Sequence, residues 1–174
     1  MVHSVRKGAI GIDPSFTNTA VVLLTEDLKA ESIVFHSHTD KDWYVQYKNI
    51  RGLMLSLCNT LAEYTTRYQC VAIVLEGYSY GSHYQGHNLG ELGHAYRTVL
   101  STYAPITRVI PPRTIKKAVA GSGRADKLRV AAALDEMGLS FKSTDESDAC
   151  AAAYCGLVIG GIIKESGVLD GFRL

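Results

Sequence analysis

The stretch Ala9-Ile10-Gly11-Ile12-Asp13-Pro14-Ser15-Phe16-Thr17-Asn18-Thr19-Ala20 decides the fold. An apolar run ends in a carboxylate, Asp13. After a short polar turn a second apolar run follows, Val21 to Leu24. Pro14 biases Asp13 toward extended backbone and offers no N–H of its own. The segment reads as a strand that ends in an acid at the rim of a sheet, followed by a hairpin. A carboxylate at a strand end is poised for a cation or a proton. Its meaning depends on whether other carboxylates reach the same place.

Working outward, Val5 to Asp13, Ala20 to Thr25 and Ser32 to His36 read as three strands joined by links short enough for antiparallel hairpins. Thr39 or Asp40 can cap the next element. Apolar residues at Tyr47, Ile50, Met54, Leu57, Cys58 and Leu61 recur every three or four positions, which predicts an amphipathic helix over about 43–64. Cys70 to Leu75 is a continuous apolar run closed by Glu76, as suits a central strand covered on both faces. Residues 77–88 are glycine-rich, aromatic and polar, and read as a loop. Helical spacing returns from Leu89 to Tyr103, and Ile106 to Ile110 is a fifth strand. Pro111-Pro112 opens a helix through Val119, and Gly121-Ser122-Gly123 is a hinge. Asp126 to Met137 is a further helix. Ser143-x-x-Glu146 has the form of a capping box and starts a last helix, Asp145 to about Ile159.

The chain of 174 residues suits a single domain spanning 1–174, with 47% hydrophobic and 20% charged residues. No apolar stretch reaches the roughly 18 residues of a membrane span. The start, Met1 to Lys7, lacks the apolar core of a signal peptide. An intracellular protein is expected, cytoplasmic or nucleoid-associated, with an organelle also open. Cys58, Cys70, Cys150 and Cys155 form no C-x-x-C pair and sit in apolar stretches, so reduced, buried thiols are expected. The net charge of +1 conceals an asymmetry. Between Arg108 and Arg129 seven bases face one acid, leaving the rest of the chain acidic. One basic face on a near-neutral protein suits local contact with a polyanion, and equally a solvated helix.

Three separated places carry acids in telling positions. Asp13 and Glu76 end strands, while Asp145 and Asp148 lie three apart at the start of the last helix and share a face. Each has an ordinary alternative: a turn former, a strand-end acid, a complement to the helix dipole. Together, at one end of a sheet, they would repel unless a cation sat among them. Oxygen-only donors suit Mg²⁺ or Mn²⁺. Two such ions can orient a water and stabilise the leaving oxygen in phosphodiester hydrolysis.

In this order the motifs resemble those of the RuvC-type Holliday-junction resolvases, within the ribonuclease H-like nuclease superfamily. Gly11-Ile12-Asp13-Pro14 is similar to the first acidic motif of that family, and Val74-Leu75-Glu76 to its strand-end glutamate. Leu89-Gly90-Glu91-Leu92 resembles the start of its central helix. Pro112 to Gly123, followed by Ala125-Asp126-Lys127, resembles its basic segment, and Asp145-Glu146-Ser147-Asp148-Ala149 its closing D-x-x-D-A. The departures lie at Ser15, where the cellular proteins usually have glycine, at Phe16-Thr17-Asn18, and in the tail after Gly160. They point to a divergent member, phage or organellar.

The resemblance implies an α/β fold with a mixed five-stranded sheet and helices on both faces. It implies a homodimer that cuts four-way DNA junctions by paired symmetric nicks during recombination or branched-DNA processing. Asp13, Glu76, Asp145 and Asp148 would form the tetrad for two Mg²⁺ or Mn²⁺ ions. Lys116 and Lys127 would lie near the scissile phosphate and offset its charge. Hydrolysis would proceed without a covalent intermediate and leave a 5′-phosphate and a 3′-hydroxyl. Tyr78, Tyr80 or Tyr84 would stack at the junction centre. Arg113, Lys117, Arg124 and Arg129 would contact backbone phosphates.

Two other readings stand beside this one. Actin-like sugar kinases also open on Gly-Ile-Asp and a Thr-rich hairpin, although they need two domains and a glycine-rich adenosine loop. A junction-binding protein that has lost its chemistry would keep the fold and not the four acids.

Overall fold

Pairing begins at the quoted stretch. The computed structural model describes residues 5–77, 86–164 and 167–174. Strand β1 (Lys7–Asp13) turns back antiparallel into β2 (Asn18–Thr25), which pairs antiparallel with β3 (Ala30–His36). Helix α1 (Trp43–Arg67) returns the chain to β4 (Gln69–Glu76), parallel to β1. Helix α2 (Gly86–Leu100) and a 3₁₀ turn (Ser101–Ile106) lead to β5 (Thr107–Ile110), parallel to β4. The sheet order is β3-β2-β1-β4-β5, the mixed five-stranded sheet expected. Helices α3 (Pro112–Ala120), α4 (Lys127–Glu136) and α5 (Thr144–Ile159) follow.

Strand alternation divides the core into two layers. Ile10, Ile12, Val21, Leu23, Ile73 and Leu75 face α1 and α2 and pack on Leu53, Leu57, Leu61, Leu92 and Tyr96. Ala9, Ala20, Val22, Ala72 and Val74 face the other way, onto α5 and behind it α3 and α4. Helices thus cover both faces. Among the described residues no helix is long and apolar enough to cross a membrane.

Helix α5 lies unusually close to the sheet, and its composition permits it. A Cβ on Gly11 would fall on the carbonyl oxygen of Ala149 and the backbone nitrogen of Ala153, well inside contact distance. A Cβ on Gly156 would come within 2.7 Å of Ala9 Cβ, and one on Gly160 within 2.6 Å of Val71 Cγ2. Ala149, Ala152 and Ala153 carry the smallest side chains at this seam. α5 therefore runs antiparallel to β1, its amino end at the rim where β1 and β4 finish.

Several expectations are corrected in detail. β1 begins at Lys7 rather than Val5. The helix cap is Asp42, whose carboxylate accepts the N–H groups of Tyr44 and Val45 at 2.9 and 3.0 Å; Asp40 instead accepts the N–H of Asp42. The buried stripe of α1 runs through Gln46, Leu53, Met54, Leu57, Thr60, Leu61 and Tyr64. It is rotated by about one residue from the stripe of largest apolar residues, which leaves Tyr47 in solvent and Cys58 exposed rather than buried. Cys150 and Cys155 are buried, as expected. The helix placed over Leu89 to Tyr103 starts at Gly86 and tightens to 3₁₀ after Leu100, with Pro105 inside that turn.

Candidate active site

Register places the first two acids. Ile12 pairs with Leu75 across the parallel β1–β4 ladder, so Asp13 and Glu76 leave neighbouring strands at the same rim. By alternation Asp13 shares the face of Ala9 and Gly11, and Glu76 that of Ala72 and Val74; both look toward α5.

The amino end of α5 is built by the capping box. Ser143 Oγ accepts the N–H of Glu146 at 3.2 Å, and Glu146 Oε2 accepts the N–H of Ser143 at 3.1 Å. Glu146 Oε1 also accepts a hydrogen bond from Ser32 of β3 at 2.7 Å, tying this helix end to the sheet edge. Asp145 stands in that first turn and Asp148 three residues on. The ammonium of Lys127 lies 3.0 Å from Asp148 and 3.6 Å from Asp145, so one cation spans both. Lys127 stands in the first turn of α4, capped by Asp126. A helix N-terminus disfavours a cation, and the two aspartates offset that cost.

The electrostatics show how crowded the rim is. Burial pushes the Asp13 carboxyl up to about 7, with Asp148 adding to the shift and Lys127 opposing it. Burial likewise raises Glu76 to about 8, reinforced by Asp13 and Asp148 and opposed by Lys116 and Lys127. For Lys127 burial works against the charge, but its hydrogen bond to Asp148 and the charges of Asp148, Asp145 and Asp13 together outweigh this, and the ammonium is held above its ordinary range. Asp13, Glu76, Asp145, Asp148, Lys116 and Lys127 thus share one electrostatic neighbourhood, although they come from β1, β4, α3, α4 and α5.

They do not close into a cage. Among the described residues no three His, Cys, Asp or Glu side chains stand together as a ready-made metal site. Uncompensated carboxylates repel, and Asp148 engages the ammonium beside it. The donor chemistry nonetheless fits a hard divalent cation: all ligating atoms are carboxylate oxygens, and two of the four acids are held partly protonated near neutrality by burial and by their neighbouring carboxylates.

The basic segment is divided by the fold. Arg113, Lys117, Arg124 and Arg129 are exposed on α3, α4 and the link between them, and Lys116 is half-buried. That link is pinned: Gly121 takes a left-handed φ of 72° to end α3, and a Cβ on Gly123 would lie 2.9 Å from the carbonyl oxygen of Arg113. Arg108 does not join this face. Its guanidinium donates to the carbonyl oxygens of Thr107 at 2.8 Å and Phe172 at 3.1 Å, fastening the C-terminal tail to β5. Tyr78, Tyr80 and Tyr84 lie outside the described residues.

Sequence reasoning missed what stands behind Asp13. Thr19 and Tyr96 are fully buried and hydrogen-bond to each other through their hydroxyls. Thr19 Oγ1 also donates to the carbonyl of Ser15 at 2.7 Å. The Ser15 hydroxyl accepts the N–H groups of Thr17 and Asn18 at 3.2 and 3.4 Å. Ser15 has no left-handed φ, so serine fits this turn without strain. The signal available was the Ser-x-Thr-x-Thr pattern; its distant partner, Tyr96, has none in the sequence.

No family profile matches the sequence. The chain is similar to the crossover junction endodeoxyribonuclease RuvC of Christiangramia forsetii, with 31% identity, 84% of this chain and 77% of that protein being covered. Among solved structures it resembles Thermus thermophilus RuvC at a TM-score of 0.61 and 21% identity, covering 84% of this chain and 90% of the other. The same enzyme in complex with Holliday junction substrate gives 0.63 at 18% identity, with 86% and 90% covered. The yeast mitochondrial Holliday junction resolvase gives 0.55 at 16%, with 83% and 75% covered. Five strands in the order described, two acids on adjacent parallel strands and a relative of this identity and coverage agree: the chain belongs to the RuvC family of crossover junction endodeoxyribonucleases.

Proposed function

We propose that residues 1–174 act as a single nuclease domain that cuts branched DNA, chiefly four-way junctions, by paired symmetric nicks, as a homodimer with two Mg²⁺ or Mn²⁺ ions per site. The observation that supports this most directly is the shared neighbourhood of Asp13, Glu76, Asp145 and Asp148 with Lys116 and Lys127 at one rim. Family membership sets aside the phosphotransferase reading. The full set of acids speaks against a binder without chemistry.

Asp13, Glu76, Asp145 and Asp148 would hold the ions. When bound, divalent cations supply Lewis acidity toward the phosphate oxygens and restore full ionisation of the carboxylates. The chain's own residues do the rest. Asp13 and Glu76, on adjacent strands, fix the floor of the site and surrender their protons as positive charge enters. Lys127 leaves its carboxylate partners free to ligate and carries its ammonium to the scissile phosphate. Lys116, already felt by Glu76, meets charge that builds on the phosphate during hydrolysis. Arg113, Lys117, Arg124 and Arg129 grip backbone phosphates and position the DNA without reading sequence. A junction has twofold symmetry, and two strand cuts need two such sites, which favours the homodimer.

The test uses purified protein, Mg²⁺, and a synthetic four-way junction beside a flap and a plain duplex. Junction cleavage should dominate, and Glu76→Gln and Asp148→Asn should each abolish it. Retained cleavage by either variant would sink the tetrad; equal cleavage of plain duplex would sink the junction preference.

A further inference from the structure

Three aromatic side chains stand in water at the amino end of α1. Trp43 is 77% exposed, Tyr47 56% and Tyr44 53%. A lone exposed apolar residue is ordinary; three within five positions form a patch. Trp43 meets Tyr44 edge to face with ring centres 5.7 Å apart, and Lys48 Nζ lies 4.6 Å from the Tyr44 ring centre. Tyr44, Lys48, Arg51 and Leu55 continue as one exposed stripe at spacings of four and three. No acid occurs on α1 before Glu63. Of the two acids just ahead of it, Asp42 caps the helix and Asp40 accepts the N–H of Asp42. The face is aromatic and cationic.

Its position connects it to the catalytic rim. Both hairpins are antiparallel, with Asp13 paired to Ala20 and Asn18 to His36, so β3 ends at the same rim as β1. Two strand spacings, about 10 Å, separate those ends. The seven Cα steps from His36 to Trp43 reach at most roughly 25 Å further. Trp43 therefore lies at most roughly 35 Å from Asp13, a distance comparable to one helical turn of duplex. A groove lined by Phe35, His36, His38, Lys48 and Asn49 lies between strand end and patch.

A second copy docked face to face would set Lys48 and Arg51 against their own copies, with no acid on the stripe to answer them. A nucleic acid answers both parts: phosphates for the cations, base planes for the rings. Resting on the nuclease function proposed above, we propose that this face is a second DNA contact. Trp43, Tyr44 and Tyr47 stack on unpaired bases of the branched substrate, and Lys48 and Arg51 hold phosphates of the arm leaving the active site.

Trp43 is the only tryptophan, so its emission reads this face alone. Wild-type protein in EDTA is titrated with a four-way junction carrying a remote fluorophore. Anisotropy then reports binding anywhere and tryptophan emission reports binding here. Emission should quench in step with anisotropy. Trp43→Ala combined with Tyr47→Ala should weaken binding at least about fivefold. Lys48→Gln combined with Arg51→Gln should reduce the slope of log K against log salt by roughly 1.5. Unchanged far-UV circular dichroism in both variants ties the losses to the face rather than to misfolding. Full binding with unaltered emission and affinity overturns the inference and leaves the nuclease function standing. Absence of any anisotropy change overturns both. Emission that shifts with protein concentration alone, alongside a doubled mass, assigns the face to a second copy and overturns the inference.

Discussion

Replacing Gly11 by alanine adds one methyl group at the seam between β1 and α5. The new Cβ would overlap the Ala149 carbonyl oxygen and the Ala153 nitrogen, both backbone atoms that no rotamer change can move. Recovering an ordinary contact of about 3.5 Å pushes α5 off the sheet by more than about 1 Å. Overpacking of this kind costs roughly 1–3 kcal/mol and more when backbone must move, so about 3 kcal/mol is expected. With a urea m-value of roughly 2 kcal/mol/M, the midpoint should fall by about 1.5 M. The domain should remain folded at 25 °C, yet Asp145 and Asp148 ride on the displaced helix. A misplacement of about 1 Å costs on the order of a hundredfold in rate. Turnover on a four-way junction at saturating Mg²⁺ should therefore drop about a hundredfold per folded molecule. Gly52→Ala is the matched control, because nothing lies within 4 Å of its Cβ position and alanine favours the helix by up to about 1 kcal/mol. A Gly11→Ala midpoint within about 0.2 M of wild type, with unchanged turnover, refutes the close seam as the device that sets the site.

Without divalent cation the protein should lose stability as pH rises. The folded-state values of Asp13 and Glu76, about 7 and 8, lie above those of the unfolded chain near 4, so the native state holds more protons across that window. The unfolding free energy from urea titration in EDTA should be higher at pH 5 than at pH 8.5, by a few kcal/mol at most since the two acids titrate as a pair; a rise over that range would contradict their burial together. Mg²⁺ at pH 8.5 should recover the loss as an increase in Tm, and Glu76→Gln should flatten the pH profile and blunt the Mg²⁺ effect. Lys116→Ala should keep junction affinity within about threefold and lose most turnover in single-turnover kinetics; unchanged turnover would remove Lys116 from the site. A maleimide should label Cys58 in the native protein and reach Cys150 and Cys155 only after unfolding, which peptide mapping will show.

Much of this arrangement was legible because local chemistry and tertiary structure agree. Asp13 before Pro14, the apolar run closing on Glu76 and the Ser143–Glu146 box each announce an element end, and the acids sit at those ends. Helix faces were less legible. Cys58 and Tyr47 look apolar, but burial follows the angular position that Leu53, Leu57 and Leu61 dictate, and Gln46 and Thr60 are buried with them. Arg108 illustrates a second limit: its charge belongs to the basic stretch, while its donors serve the carbonyls of Phe172 and Arg173 in the tail. The meaning of Gly11 depends on a helix more than a hundred residues away, and no local signal carries it.

The closeness of α5 to β1 also fixes when the protein becomes a nuclease. β1 supplies one acid, and α5, which is made long after β1, supplies two more and covers that strand. A nascent chain that has already paired β1 with β4 still lacks Asp145 and Asp148, and its inner sheet face waits bare for α5. At a synthesis rate of 5–20 residues per second that interval lasts roughly several seconds. A DNA-cutting enzyme built this way stays harmless until α5 has been made.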